Sequence, residues 1–343
     1  VHPPGLDLVR LGDYLARERP GLVAGPLTGE LIVGGRSNLT YRISDGRQDW
    51  VVRRPPLGHV LATAHDVARE YRVISALAPT PVPVPGTVLL CPDPEVLGAP
   101  FYLMEMVEGT VYRTAAQTAA VPPADRWHLS RHLVDTLADL HAVDPVAVGL
   151  GDFGRPDGFL ARQVRRWRTQ LDGSRSRDLP GIDRLADALA GTVPGSGPPA
   201  IVHGDYRLDN VLVRGTRIAA VLDWEMSTLG DPLADVGLLL IYWDRLASVD
   251  NPVVDGVGPR YGFPDGDTLT GWYAARTGAD LTALDWYVAL AAFKLAVILE
   301  GIHYRHSLGK TVGEGFDQIG TMVPPLVEQG LAALARIRTT PTS

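Results

Sequence analysis

The chain has 343 residues, more than the roughly 100–200 of one ordinary domain, so two lobes are the starting expectation. Hydrophobic residues make up 45% and charged residues 21%, a balance that builds a sizeable core and excludes a disordered chain. The net charge of −7, with Lys294 and Lys310 the only lysines, argues against a general polyanion-binding surface, and the single Cys91 excludes an internal disulfide or a multi-thiolate metal site.

Residues 1–20 predict a short amphipathic helix with Leu6, Val9, Leu11 and Leu15 on its apolar side. From Leu22 to Leu103 the pattern favours strands: Leu39, Tyr41 and Ile43 alternate with polar neighbours, and Trp50-Val51-Val52 is a β-favouring run. One helix interrupts them, from about Ala64 to Leu77, with Val67, Tyr71, Ile74 and Leu77 at helical spacing. The proline-rich stretch from Pro79 to Pro85 ends it, because proline cannot continue a helix. Gly86–Cys91 and Phe101–Met106 predict two more strands.

After Glu108-Gly109 the pattern turns helical, with helices expected over 125–141 and 157–171 and a Gly/Pro/Ser-rich stretch over 173–199 holding one short helix. Strands are expected at Ala200–Val202 and Ile218–Leu222, and mostly helix beyond. This is an α+β chain: a small sheet with one helix, a hinge near 105–109, and a larger, mainly helical lobe. The N-terminus lacks a signal-peptide pattern, and the longest apolar stretch, Trp286 to Ile302, is broken by Lys294 and Glu300. A cytoplasmic location, with no membrane and no nucleic-acid partner, is therefore expected.

The densest polar signal is Ile201-Val202-His203-Gly204-Asp205-Tyr206-Arg207-Leu208-Asp209-Asn210-Val211-Leu212-Val213, a polar loop between two apolar runs. A second apolar run ends in Asp223-Trp224-Glu225. Asn210 follows Asp205 by five positions and Asp223 follows Asn210 by thirteen. Phosphoryl transfer needs such a set. A carboxylate, here Asp205, orients an acceptor hydroxyl and takes its proton. A divalent ion neutralises charge on the phosphates, and Mg²⁺ takes oxygen donors of the kind Asn210 and Asp223 offer.

These segments resemble the catalytic loop of the protein-kinase-like fold in its aminoglycoside phosphotransferase branch, which reads His-Gly-Asp and Asp-Trp or Asp-Phe-Glu at these places. The resemblance implies a bilobal protein-kinase-like fold, with a small antiparallel-sheet N-lobe over 1–107 that binds nucleotide. A larger C-lobe over 108–343 would carry the catalytic loop and bind the acceptor. It implies ATP and Mg²⁺ as cofactors, Asp205 as base, His203 as a structural member of the catalytic set, and Asn210 and Asp223 as metal ligands. Asp209 is expected to brace the loop, Asp231 to cap the following helix, and Asp235 to support the loop.

In the first lobe, Gly34, Gly35 and Ser37 form the expected phosphate-covering turn, where glycines let backbone N–H groups approach phosphate. Arg53 stands where kinases carry lysine, with Glu70 as its ion-pair partner, and the backbone of Glu105 and Val107 is expected to meet the adenine. Gly35-Arg36-Ser37-Asn38, Val52-Arg53-Arg54-Pro55-Pro56, Leu140-His141-Ala142-Val143-Asp144-Pro145 and the run from Phe159 to Trp167 resemble the phosphotransferase-like domain that some proteins carry fused to an acyl-CoA dehydrogenase. That likeness implies a small-molecule hydroxyl acceptor, such as a hydroxyacyl-CoA or hydroxy acid. Arg162, Arg165 and Arg166 share a helix face that could meet an anionic acceptor. Glu300, His303 and Arg305 are weighed as cleft-lining, and His141 as a packed core histidine. The alternatives are an aminoglycoside or amino-alcohol kinase, and a silent nucleotide- or CoA-binding module that Arg53 would favour. A protein kinase and a metal hydrolase fit less well, for want of an activation segment and of a second histidine cluster.

Overall fold

The structure is a computed structural model that describes residues 3–32, 38–57, 66–245, 257–309 and 318–339. The chain forms two compact units. One comprises Val1–Thr110 with Ala219–Ser227, the other Val111–Ile218 with Thr228–Ser343. The first unit thus reaches three residues past 107 and takes in a second stretch of chain, which carries Asp223.

In the first unit, α1 (Leu8–Glu18) starts at Asp7, whose carboxylate accepts from the Val9 and Arg10 N–H groups. Leu11 and Leu15 are buried, whereas Val9, expected on the apolar side, is 64% exposed. Val9 stands two positions before Leu11, across the helix from the buried leucines, so it faces solvent, while Leu6 packs from the preceding turn. Strands β1 (Thr28–Leu31), β2 (Leu39–Ser44), β3 (Asp49–Arg54), β4 (Thr87–Cys91) and β5 (Phe101–Glu105) form an antiparallel sheet in the order β1-β2-β3-β5-β4. Tyr41, Ile43, Trp50, Val52, Phe101 and Leu103 point to one face and form a core with Leu11 and Leu15. The helix α2 (Val67–Leu77) is capped by Asp66, which accepts from the Arg69 N–H. A short α3 (Pro94–Leu97) joins β4 to β5.

The second unit holds α4 (Ala115–Ala119), α5 (Pro123–Ala142), α6 (Phe159–Ser174) and α7 (Ile182–Gly191), then β6 (Ala200–Val202), β7 (Val211–Arg214), β8 (Arg217–Val221) and β9 (Thr228–Gly230). β6 pairs with β9 and β7 with β8, and the unit boundary falls within β8. α8 (Leu233–Leu240), α9 (Gly266–Thr277), α10 (Leu284–Ser307) and α11 (Val323–Thr339) complete it. By length and composition α10 could cross a membrane, but 78% of its most apolar window is buried inside the protein. It is the central core helix of this unit, packed against α6, α8 and α11.

α8 and α10 approach closely at Gly237, where an added Cβ would lie 2.6 Å from the Tyr287 carbonyl carbon of α10. Backbone cannot step aside as a side chain can. Gly237→Ala should therefore destabilise the protein by about 1–3 kcal/mol, read as a lower urea midpoint at unchanged slope. An unmoved midpoint would mean that the two helices can separate without loss.

Candidate active site

The loop after β6 is built around one buried acid. Asp235, in the first turn of α8 and 1% exposed, accepts the His203 N–H at 2.6 Å and the Gly204 N–H at 2.8 Å. His141 Nε2 stands 3.2 Å from the same carboxylate, and its Nδ1 lies 2.7 Å from the Tyr273 hydroxyl. Burial pushes the Asp235 carboxyl up, but His141 and the hydrogen bonds outweigh it, so the acid is held below its ordinary value. His141 is thus a packed histidine with a job, since it is a direct partner of the acid that holds the loop.

His203 is fully buried, packed edge-to-face on Tyr206, and its Nδ1 accepts the Asp205 N–H at 3.2 Å. A backbone donor at Nδ1 places the ring proton on Nε2. Gly204 has φ +83°, a conformation that costs glycine little. Lys294 of α10 donates to the Gly204 carbonyl at 2.6 Å. The peptide groups before Asp205 are therefore held from both sides.

Asp205 itself keeps its side chain 26% exposed, so it is reachable by substrate. Asn210 Nδ2 donates to Asp205 Oδ2 at 2.9 Å and to its backbone carbonyl at 2.8 Å. That commits the amide's donor side and leaves its oxygen as the side that can meet a cation. Arg207 Nε lies 3.4 Å from Asp205 and 2.9 Å from Asp209, with its guanidinium 4.5 Å above the Tyr242 ring. Asp209 thus sits in an ion pair that braces the loop. Asp231 accepts the Leu233 N–H at 3.1 Å and the Tyr287 hydroxyl at 2.9 Å, capping α8 and tying it to α10.

The first unit carries the other set. Arg53 points from β3 to the α2 side of the sheet, its side chain 11% exposed. Its Nε stands 2.8 Å from Glu70 Oε2, a close ion pair whose N–H is not aimed along the contact. Its Nη2 donates to Asp223 Oδ1. Asn38 donates to Glu70 Oε1 at 2.7 Å and the Tyr102 hydroxyl donates to Glu70 Oε2 at 3.0 Å, so both carboxylate oxygens are engaged. Arg54, on the other face, donates to the Gly5 and Leu97 carbonyls at 2.6 Å. Neither arginine is a solvated strand end.

Asp223 has φ 63°, the one positive φ outside glycine among the described residues. A carboxylate residue tolerates that conformation better than a branched one, and such positions gather at functional sites. Asp223 is 31% exposed, so part of its carboxylate stays accessible beside Arg53. It offers a carboxylate in the first unit and Asn210 an amide oxygen in the second. Both are hard oxygen donors that suit Mg²⁺.

The remaining expected residues divide. Gly34, Gly35 and Ser37 lie outside the described residues. The Glu105 N–H donates to the Gly86 carbonyl at 2.7 Å, which removes that group from any base-binding role, while Val107 follows as half-buried coil. Arg162 donates to the carbonyls of Arg155 and Asp157 and is spent on its own helix start, whereas Arg165 and Arg166 are exposed. Glu300 is fully buried, accepting from Arg177 at 2.9 Å and Ser176 at 3.0 Å, so it lines no cleft. Sequence reasoning missed Tyr102 and Lys294. Tyr102 pairs with Arg53 across β3 and β5, and Lys294 is the lone lysine of an apolar helix.

The sequence matches the family described as "Phosphotransferase enzyme family" over residues 28–272. The chain belongs to this phosphotransferase family. Among curated proteins it is similar to chicken "Acyl-CoA dehydrogenase family member 11", 36% identical over 96% of this chain and 44% of that protein. A human counterpart of the same name is 34% identical over 87% of this chain. The chain therefore spans less than half the length of the curated relatives it matches. Among solved structures, a candidate aminoglycoside phosphotransferase from Ralstonia eutropha JMP134 is 33% identical, with TM-score 0.83 over 96% of this chain and 98% of that one. Aminoglycoside phosphotransferase APH(4)-Ia, solved with AMP-PNP and hygromycin B, shares the fold at TM-score 0.60 and 16% identity, covering 96% of this chain and 99% of that one. The fold of this phosphotransferase is thus the protein-kinase-like one.

Its buried Arg53 cluster sets a pH dependence. Burial raises the Glu70 carboxyl from 4.5 to about 7; Arg53 opposes the rise, and Asp223 and Glu225 add to it. Burial pulls the Arg53 guanidinium down, but Glu70, Tyr102 and Asp223 outweigh it and the net direction is up. One cation thus faces an excess of carboxylates. Glu70 holds its proton more tightly folded than unfolded. Its contribution to stability is present below about pH 4.5 and is lost as pH rises through about 7. Between those values the unfolding free energy of Glu70→Gln should fall less with pH than that of the wild type, measured by urea melts. Parallel curves would show that Glu70 keeps its ordinary titration.

Proposed function

We propose that this phosphotransferase moves the γ-phosphoryl group of Mg·ATP to a hydroxyl of a small molecule, with Asp205 as the base. The observation that carries the reading is the support around Asp205. Its backbone is held through Asp235, His203 and Lys294, and its carboxylate is turned by Asn210 while staying exposed. A carboxylate held this way can fix the acceptor oxygen and accept its proton as the new bond to phosphorus forms, with the bond to the leaving ADP oxygen breaking. Positioning of this kind supplies much of the rate, because the transferring group needs little covalent help.

In this reading Arg53, held by Glu70, meets donor phosphate, and Asp223 and Asn210 are the protein's ligands to Mg²⁺. When bound, that ion neutralises phosphate charge. The amide oxygen of Asn210 suits this role because its nitrogen is already committed to Asp205. Arginine in the place of lysine does not argue for a silent module, since its cation is retained at a carboxylate-lined position. The likeness to acyl-CoA dehydrogenase family members supports a hydroxyacyl-CoA or hydroxy acid as acceptor over an aminoglycoside.

Asp205→Ala should lower turnover by roughly 10²–10⁴-fold while leaving Mg·ATP affinity close to that of the wild type. The assay is acceptor-dependent ADP release across hydroxyacyl-CoAs, hydroxy acids and aminoglycosides, beside a nucleotide titration. Full activity in the variant would remove Asp205 from the chemistry. Lost nucleotide affinity would give it a binding role instead.

A further inference from the structure

The charges around the catalytic loop do not balance locally. Asp235 is satisfied by two backbone N–H groups and His141, and Asp209 by Arg207. Asp205 is met by Asn210 and Arg207. Two cations of the second unit meet on one indole. Lys294 Nζ lies 5.6 Å from the centroid of the Trp167 ring and the Arg166 guanidinium 5.2 Å from the same centroid. Among the described residues no carboxylate is within ion-pair distance of either one. Trp167 is 3% exposed, and Lys294 is half-buried with only one donor spent, on the carbonyl next to Asp205. Burial pulls the Lys294 ammonium down and Arg166 adds to that, while Asp205 and Asp235 work against it.

Two like charges gathered on one indole, one of them half-buried, oppose each other in the absence of an anion. Asp205 and Asp235 act on Lys294 only from beyond ion-pair distance, and no carboxylate among the second unit's described residues contacts either cation. Arg166 stands out from its neighbours: Arg162 is consumed by the helix start, and Arg165 has no aromatic platform among the described residues. We infer that Arg166 and Lys294, arranged about Trp167, form an acceptor subsite for an anionic oxygen group, a carboxylate or a phosphate, carried by the same molecule that presents its hydroxyl to Asp205. The inference rests on the kinase reading above and narrows its acceptor class. A polycationic acceptor would meet two positive charges with no ion-pair partner among the described residues. An anionic one relieves their repulsion, and guanidinium binds carboxylate or phosphate in a forked geometry.

The test compares three acceptors: hydroxyhexanoic acid, its neutral amide, and its CoA thioester, in which the carboxylate is consumed and phosphates are added. Arg166 is exposed, so Arg166→Gln should fold. It should raise KM for an anionic acceptor by about tenfold, the loss of one charge-assisted contact of ~1.4 kcal/mol, with KM for the amide unmoved. Arg166→Lys should recover most of the loss, and Arg165→Gln, on the same helix, is the control. An effect on the free acid marks carboxylate as the ligand, and an effect on the thioester alone marks the phosphates of CoA. Equal effects on acid, amide and thioester, or none on any, would overturn the subsite.

If the wild type phosphorylates none of the three, the kinase reading for this acceptor class fails separately. The subsite is then judged by calorimetric titration with hexanoate, inorganic phosphate and hexanamide. Tighter binding of either anion than of hexanamide, erased in Arg166→Gln, would uphold it. No preference for either anion would end it.

Discussion

The site in the second unit depends on one buried carboxylate. Asp235 can remain ionised without solvent only because two consecutive backbone N–H groups and a histidine meet it. The same bonds run the other way: they fix the peptides of His203 and Gly204, and with them the direction in which Asp205 leaves the strand. Removing the acid would strand two buried N–H donors and a histidine at once, a cost well above that of one surface hydrogen bond. The helix packing serves this arrangement. Gly237 lets α8 lie against the backbone of α10. Asp235 from one helix and Lys294 from the other then reach the two ends of the Gly204 residue, its N–H and its carbonyl.

The first unit solves a related problem with the opposite sign. There a buried cation, Arg53, is held among carboxylates on a central strand. A lysine would bring a single point charge. The guanidinium spans two acids from different parts of the chain, Nε toward Glu70 and Nη2 toward Asp223, so it links helix α2 to the segment after β8 within one unit. The substitution that looked like a weakness in a lysine-based pattern therefore adds a structural link. Asn38 and Tyr102 complete it by holding the far side of Glu70.

Much of this was legible in the sequence because it is local. The alternation in β2 and β3 places Arg53 on its face, the spacing of Val67, Ile74 and Leu77 places Glu70, and the order of Asp205, Asn210 and Asp223 follows a loop between apolar runs. Most of what escaped was set by tertiary distance. Val9 is the exception: expected on the apolar side, it lies two positions from Leu11 and so across the helix from the buried leucines, which the helical period itself requires. Lys294 reads as an interruption of an apolar run until α10 is seen to pass behind the catalytic loop. Glu300 is buried by its pairing with Arg177, which comes from the Gly/Pro/Ser-rich stretch far away in the chain. The left-handed φ of Asp223 likewise leaves no sequence mark, because aspartate adopts it only where the surroundings require it.

Membership of a family fixes the reaction frame more firmly than the acceptor. A fold shared with APH(4)-Ia at 16% identity says little about which hydroxyl is served. That choice lies in side chains around the base that the fold leaves variable. In this chain the acids nearest Asp205 are all engaged by partners within the protein, while Arg166 and Lys294 meet no carboxylate at ion-pair distance among the described residues. The overall net charge of −7 makes the local excess of positive charge more telling, since it runs against the composition of the whole chain. Long-range attraction would favour a cation, so selection of an anion would have to come from short-range contacts, where a half-buried ammonium and a guanidinium on an indole are least screened.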